Sequence, residues 1–328
     1  MSAGRRSTAG DLPRKVVVGT TVFGAAAPYP GLAGRAEELA ALVDEMAARA
    51  IEAWPERGLD LAVLPEAVLT PNADQASDRS VRLDDPAVDR FRGLARRHQT
   101  YLLLPLDLAE DGPAGPSYAN AAVLLDRRGE VAGIYRKAHP VSVVGCPDDE
   151  GGVTPGADFP VFACDFGVLG VQICWDVVYD DGWAALGAAG AEIVAFPSAS
   201  PATVRAAAHA ARHRYFVVSS TPRDNATVYE PTGLVAARIH DHGTVLVHRL
   251  DLSHAVLGWS PALREGNALR ERFGDRVGFH YDEREDIGLF WSEDDTTTVE
   301  SMVATIGAEQ IDAQIARNLR LRAAPPEV

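Results

Sequence analysis

The chain has 328 residues, of which 47% are hydrophobic and 23% are charged, and its formal net charge at pH 7 is −15. This composition is ordinary for a globular protein with a hydrophobic core, so no disulfide or metal is needed to hold the fold together. The negative charge argues against a nucleic-acid partner, because binding to a phosphate backbone needs clustered Lys and Arg.

The N-terminus and the cysteines indicate the compartment. Residues 1–13 contain two adjacent arginines but no apolar segment behind them, and no apolar run in the chain is long enough to cross a membrane. The three cysteines, Cys146, Cys164 and Cys174, form no CxxC pair. We therefore expect a disordered lead at 1–13, free thiols, a cytoplasmic protein and no membrane partner.

Strands and helices alternate through residues 14–260, which we assign to one domain. Apolar and β-branched runs predict strands at Lys15–Phe23, Leu59–Pro65, Tyr101–Leu106, Ala121–Asp126, Val131–Tyr135, Val161–Asp165, Val168–Ile173, Glu192–Phe196, Phe216–Ser220, Thr227–Tyr229, Leu234–Ile239 and Thr244–Leu252. Helical spacing predicts helices at Ala33–Trp54, Asp85–His98, Gly182–Gly190 and Ala202–Arg214. The alternation is typical of an α/β protein with a mixed sheet.

The character of the sequence changes beyond Ser260. Residues 261–298 are charged and weakly periodic, Thr298 begins a helix, and Ile311, Ile315 and Leu319 form one apolar stripe on a terminal helix. We assign residues 261–328 to a C-terminal extension that packs either on its own domain or on a partner subunit.

Two polar residues at strand ends are candidates for catalysis. Glu66 follows the apolar run LAVLP, where ligand crevices of α/β sheets form, although it could simply cap a helix. Lys137 ends a hairpin strand and is one of only two lysines among 31 basic residues. In a chain that otherwise uses arginine, this lysine indicates a need for a compact ammonium, whereas a solvated strand end is the simpler interpretation.

Cys174 is a candidate nucleophile. It ends the strand before a helix of small residues, where the backbone N–H of Trp175 can face a developing oxyanion. A helix start and a nearby lysine would lower the pKa of its thiol. A buried structural cysteine is the alternative interpretation, and Cys164, which lies within a strand, fits that alternative.

The segments LAVLPE, YRKAHP and GVQICWD, in this order, resemble the three signature segments of the nitrilase superfamily of carbon–nitrogen hydrolases. The resemblance covers about residues 14–255. It implies a four-layer α-β-β-α sandwich, a homodimer or larger homo-oligomer, and hydrolysis of an amide or N-carbamoyl bond of a small molecule. In this chemistry Glu66 is the general base, Cys174 the nucleophile and Lys137 an oxyanion ligand, and no metal or organic cofactor is required.

The family pattern also implies a second glutamate ahead of a Pro-Gly. Glu150, before GGVTPG, is the best match, and Asp148 or Asp149 could take its place. Asp176, where nitrile-cleaving members usually have Glu, favours an amide. Val178 stands where carboxylate-binding members often have Arg. The loops around the site make Trp183, Arg223 and Asn225 candidate substrate contacts, with solvated loop positions as the simpler interpretation.

A metal site is the main competing chemistry. His209 and His213 have the i, i+4 spacing of zinc-binding helices, but Ala210 replaces the general base of that motif and no third ligand is evident. His240 and His242 alternate near a strand end. We expect no metal. Two other functions stay open: a catalytically silent subunit of the same fold, and an acyltransferase that passes the thioester to an amine.

Overall fold

A computed structural model describes residues 9–24, 28–70, 73–112, 115–144 and 148–323, so Cys146 lies outside the described residues. The chain divides into two compact units. The first runs from Val16 to Leu250, and the second combines the described residues up to Lys15 with those from Asp251 onward.

The elements of the first unit follow the predicted order. The strands are β1 Lys15–Val22, β2 Leu61–Val63, β3 Tyr101–Gly112, β4 Gly115–Leu125, β5 Val131–Arg136, β6 Val161–Cys164, β7 Gly167–Val171, β8 Ile193–Pro197, β9 Phe216–Ser220, β10 Ala226–Tyr229, β11 Val235–Ile239 and β12 Thr244–Asp251. The helices are α1 Gly31–Ala53, a single turn α2 Ala76–Arg79, α3 Pro86–His98, α4 Asp181–Ala188 and α5 Thr203–His213.

The strands form two mixed six-stranded sheets, in the orders β12-β1-β2-β3-β4-β5 and β11-β10-β9-β8-β7-β6. In the first, β1, β2 and β3 are parallel and β3, β4 and β5 antiparallel; in the second, β7, β8 and β9 are parallel. β2 and β8 are fully buried, as expected of strands covered on both faces.

Helices cover the outer face of each sheet. Leu39, Val43 and Met46 of α1 and Phe91 of α3 share one apolar cluster with β2, β3 and β4. A second cluster joins Trp183 of α4 and Ala206 and Ala210 of α5 to β8 and β9. The two sheets meet through contacts such as the hydrogen bond from Thr20 Oγ1 to the Ser219 carbonyl, 2.6 Å long. The predicted α-β-β-α sandwich is therefore confirmed.

The second unit contains structure that the weak periodicity of residues 261–298 did not indicate. Its elements are β13 His254–Gly258, α6 Asn267–Phe273, β14 Val277–Asp282, β15 Ile287–Ser292, α7 Val299–Ala304 and α8 Ile311–Ala323. The three strands form an antiparallel sheet in the order β13-β15-β14. All but the first residue of β14 are only half-buried, so apolar and polar positions do not alternate clearly.

Both ends of this unit bear on the predicted boundaries. The second unit begins again at Asp251, nine residues before the predicted domain boundary at Ser260. Ala9, which lies in the segment predicted to be a disordered lead, is buried in the apolar cluster of this unit. Thr298 caps α7 by accepting a hydrogen bond from the Ser301 amide, as its position before the helix predicted. Ile315 and Leu319 on α8 are 48% and 60% exposed.

Among the residues that the structure describes, no helix is both long enough and apolar enough to span a bilayer.

Candidate active site

Strands from both sheets deliver the candidate catalytic residues to one place. Glu66 lies just beyond β2, Lys137 directly follows β5, and Cys174 lies just beyond β7. Because neighbouring strands end at a common edge of a sheet, residues far apart in the chain meet there.

Glu66, Lys137 and Glu150 form a buried cluster of charges. Lys137 Nζ lies 3.1 Å from Glu66 Oε1 and 2.5 Å from Glu150 Oε1, and the Lys137 side chain is only 1% exposed. Burial opposes the charged ammonium, but the charges of Glu66 and Glu150 outweigh burial and raise the pKa of Lys137 above its ordinary value. Lys137 is therefore a fixed cation at neutral pH.

Glu150 is held on this lysine by its own loop. Its Oε1 accepts a hydrogen bond of 2.9 Å from the Val141 amide, and its carbonyl accepts one of 2.6 Å from Arg79 Nη2. Its φ of 42° is a left-handed conformation that the loop contacts must maintain. Among Asp148, Asp149 and Glu150, the structure thus places the carboxylate of Glu150 on Lys137.

Cys174 begins a 3-10 turn, Cys174–Val178, with a left-handed φ of 45°. Burial raises the pKa of its thiol to about 11, the charge of Glu66 acts in the same direction, and Lys137, the Ser198 hydroxyl and the Ala199 amide lower it only in part. The expected lowering of this pKa is therefore wrong. The thiol is neutral at rest, and a base must remove its proton when it reacts.

This raised pKa predicts an unusual alkylation profile. Labelling of Cys174 by iodoacetamide should accelerate about tenfold per pH unit above neutrality and level off only near pH 11. Cys164, whose pKa burial raises to about 12, should react more slowly across that range. Peptide mass spectrometry over a pH series measures both rates. A rate at Cys174 that is already at its plateau near pH 7 would contradict the neutral thiol.

Asn120 is a site residue that the sequence analysis did not single out. Its Nδ2 donates hydrogen bonds to Glu66 Oε1 (2.8 Å) and to Glu150 Oε2 (3.1 Å), so one amide orients both carboxylates. The Ala199 amide donates a hydrogen bond of 2.7 Å to the other carboxylate oxygen of Glu66. The available signal was an isolated amide within the apolar strand β4.

Replacing Asn120 by the near-isosteric Leu should lower kcat about 10- to 100-fold, because hydrogen bonds to charged groups are worth about 1.5–3 kcal/mol. Steady-state kinetics measures the change. Asn120→Asp is the informative companion, since it adds a third carboxylate to the cluster and should be more damaging. Unchanged kcat in Asn120→Leu would show that Lys137 and the loop alone orient the carboxylates.

Asp176 supports the turn that carries the nucleophile. Its side chain is fully buried and accepts hydrogen bonds from the Ile173 amide (2.9 Å), Tyr135 Oη (2.8 Å) and the His139 amide (2.9 Å). Burial raises its pKa, and these donors lower it in part. Because its oxygens are engaged in this way, Asp176 acts on the position of the turn and not on a ligand.

The structure corrects two of the three predicted substrate contacts. Trp183 is fully buried, with its indole Nε1 donating 3.0 Å to the Asp176 carbonyl, so it belongs to the core. Asn225 is 3% exposed, and its amide is used within its loop by Asp224 and Thr227. Arg223 is exposed, with Nε 3.4 Å from the carbonyl of Ala199, the residue whose amide binds Glu66.

The fold agrees with comparisons to known proteins. A family model described as carbon-nitrogen hydrolase matches residues 25–256. The chain therefore belongs to the carbon–nitrogen hydrolase family, and the resemblance to the nitrilase superfamily is confirmed.

Individual relatives match over shorter segments. Citrullinase of Francisella tularensis is 29% identical over 116 residues, 35% of this chain and 39% of that protein. N-carbamoylputrescine amidase of Arabidopsis thaliana is 32% identical over 35% of this chain and 37% of that protein. Human deaminated glutathione amidase is 28% identical over 60% of this chain and 68% of that protein. The first two matches thus span less than half of each relative's length.

Solved structures share the fold at low identity. Nit3 of Saccharomyces cerevisiae, a member of branch 10 of the nitrilase superfamily, has a TM-score of 0.62 at 19% identity, covering 80% of this chain and 96% of that one. An amidase from Nesterenkonia sp. has a TM-score of 0.55 at 22% identity, covering 73% and 91%. At this identity the likeness concerns the fold alone.

Proposed function

We propose that this protein hydrolyses an amide or N-carbamoyl bond of a small molecule through a thioester on Cys174. The observation that carries the proposal is the buried Glu66–Lys137–Glu150 cluster beside the thiol, in which one fixed cation is held by two carboxylates. A buried ammonium between carboxylates is costly to maintain and is typical of a site that must stabilise developing negative charge.

Formation of the thioester uses the neutral resting thiol. Glu66 accepts the thiol proton as the sulfur bonds to the carbonyl carbon, and the carbonyl π electrons move to oxygen. Lys137 Nζ and the Trp175 amide, one of the first N–H groups of the 3-10 turn, hold this oxyanion. When the carbonyl re-forms, the C–N bond breaks, and the proton on Glu66 passes to the leaving nitrogen.

Hydrolysis of the thioester reverses the roles. Glu66 takes a proton from water as the water oxygen adds to the thioester carbon, and the same donors hold the second oxyanion. Collapse breaks the C–S bond, and the thiolate recovers its proton from Glu66. Glu150 keeps Lys137 in place and, with Asn120, fixes the orientation of the Glu66 carboxylate through both steps.

Names of similar proteins support the substrate class. They include an N-carbamoylputrescine amidase, a beta-ureidopropionase and an amidase whose mutant carries the acetamide moiety of fluoroacetamide on its active-site cysteine. Val178, which is 38% exposed, supplies no positive charge close to the nucleophile, in keeping with an uncharged group at that point of the substrate.

Acyl-enzyme formation can be tested before the natural substrate is known. Mixing the protein with p-nitrophenyl acetate should release a burst of about one nitrophenolate per chain and leave an acetyl group on the peptide containing Cys174. Ammonia release is then compared across primary amides, N-carbamoyl amines and nitriles of matched size, and we expect turnover of the first two classes. Absence of both burst and adduct in folded protein would favour a silent subunit.

A further inference from the structure

A second cluster of potential ligand atoms lies beyond the turn that carries the nucleophile. Asp180, at the start of α4, joins His209 and His213 of α5, and the three ligand atoms lie within 4.8 Å of one another. Within the described residues this is the one such group of three or more side chains. Asp180 supplies a third potential ligand atom, which sequence spacing did not reveal because Asp180 belongs to a different segment.

The hydrogen bonding of His209 fixes which nitrogen faces Asp180. Its Nε2 lies 3.1 Å from the Val177 carbonyl, which can only accept, so this nitrogen carries the proton. In the neutral ring Nδ1 therefore presents a lone pair towards Asp180 Oδ1, 3.7 Å away. Two acceptor atoms facing each other in this way need a cation or a proton between them.

The distances suit a shared metal ion as well as the long hydrogen bond that His213 Nε2 can donate to Asp180 Oδ1. His213 Nε2 lies 3.3 Å from the same Asp180 oxygen. Ligands about 2.0–2.1 Å from a tetrahedral zinc ion are separated by about 3.3 Å, close to both observed spacings.

The surroundings supply the outer contacts of a metal site. A ligating histidine usually donates its other N–H to a carbonyl or carboxylate, as His209 does to Val177. Arg212 lies 3.4 Å from the second oxygen of Asp180, leaving the first for a metal. The His209 ring stacks on Trp183 at 4.4 Å, within 2° of parallel, which holds its orientation.

We propose that Asp180, His209 and His213 bind a divalent transition metal of the zinc class, with water completing the coordination. The metal would join helix α5 to Asp180, which lies just after the turn that carries Cys174. It would thus restrain Cys174 from a distance without taking part in the reaction. This replaces the expectation that the chain holds no metal, and it is independent of the proposed function.

The full chain, stripped of metal by dialysis against a chelator, is titrated with Zn²⁺ by calorimetry and with Co²⁺ by visible absorption. We expect one equivalent per chain, Co²⁺ bands of four- or five-coordinate geometry, and a higher thermal midpoint with Zn²⁺. Asp180→Asn and His213→Gln should each weaken binding at least about tenfold and abolish the thermal shift. His209, the ligand that stacks on Trp183, is left unchanged in both variants, so circular dichroism should show an intact fold.

Two controls identify other sites of binding. His240→Gln changes a histidine outside the cluster and should bind as the parent does. Cys174→Ala removes the thiol that could take the metal at the active site, and it should also leave binding unchanged. The proposal is overturned if the parent binds less than a tenth of an equivalent, if both cluster variants bind normally, or if binding is lost with Cys174 alone.

Discussion

Replacing Cys174 by Ala should reduce kcat at least about 10,000-fold, because it removes the sulfur that forms the acyl-enzyme. The Ala199 and Ser198 contacts to sulfur would be lost, but Glu66, Lys137 and Glu150 would remain paired, so the fold and substrate binding should survive. The measurement is single-turnover nitrophenolate release together with the mass of the intact chain.

Cys164→Ala is the matched control, since Cys164 is also a free, partly buried thiol but lies within β6. It should retain the burst and the adduct. A normal burst in Cys174→Ala would show that Cys174 is not the nucleophile. Loss of the burst in Cys164→Ala, with the fold intact, would point to Cys164 instead. Cys174→Ala also offers a route to the substrate, because a bound ligand that cannot react can be identified by mass spectrometry.

Lys137→Met should damage stability and activity together. The change leaves Glu66 and Glu150 facing each other without a cation, and removal of one partner from a buried ion cluster costs about 3–5 kcal/mol of unfolding free energy. Separately, loss of a preorganised oxyanion ligand should lower kcat by a factor of about 100 to 1,000. Urea unfolding and burst kinetics measure the two effects separately.

Lys15→Met is the control for stability, because Lys15 is the other lysine and also contacts two carboxylates, those of Asp251 and Glu293, at 3.0 Å each. Its side chain is 16% exposed and lies outside the cluster, so it should cost less stability and leave the burst intact. Lys137→Arg tests whether charge alone suffices. Full kcat in the Lys137→Arg variant would show that the compact ammonium has no special role, contrary to the argument from lysine scarcity.

Much of the molecule could be predicted from local sequence. The apolar runs and helical spacings of residues 15–252 predicted nearly every strand and helix of the two large sheets, because burial imposes a period on each element independently of its partners. Residues 261–298 failed that test because β14 is of intermediate burial at every position after the first and β15 is buried at three consecutive positions, so neither strand shows the alternation of a sheet with one buried face.

The positions of Glu66, Lys137 and Cys174 could also be predicted, since each follows a recognisable strand and lies in a characteristic segment. The supporting residues could not. Asn120 reaches Glu66 across 54 residues only because β2, β3 and β4 are consecutive in the sheet. Trp183 gave no sign of being core rather than pocket, because an aromatic side chain suits either place.

Local sequence patterns were enough to predict the elements of the first unit, the family and the three residues on which the proposed chemistry depends. The folded chain was needed to show that Glu150 is the carboxylate on Lys137, that burial raises the pKa of Cys174, and that Asp180 meets the two histidines of α5. The difference lies in the sequence separation over which each effect acts. Backbone preference and burial leave a local pattern in the chain, whereas electrostatic fields and ligand geometry arise between segments that only the folded sheets bring together.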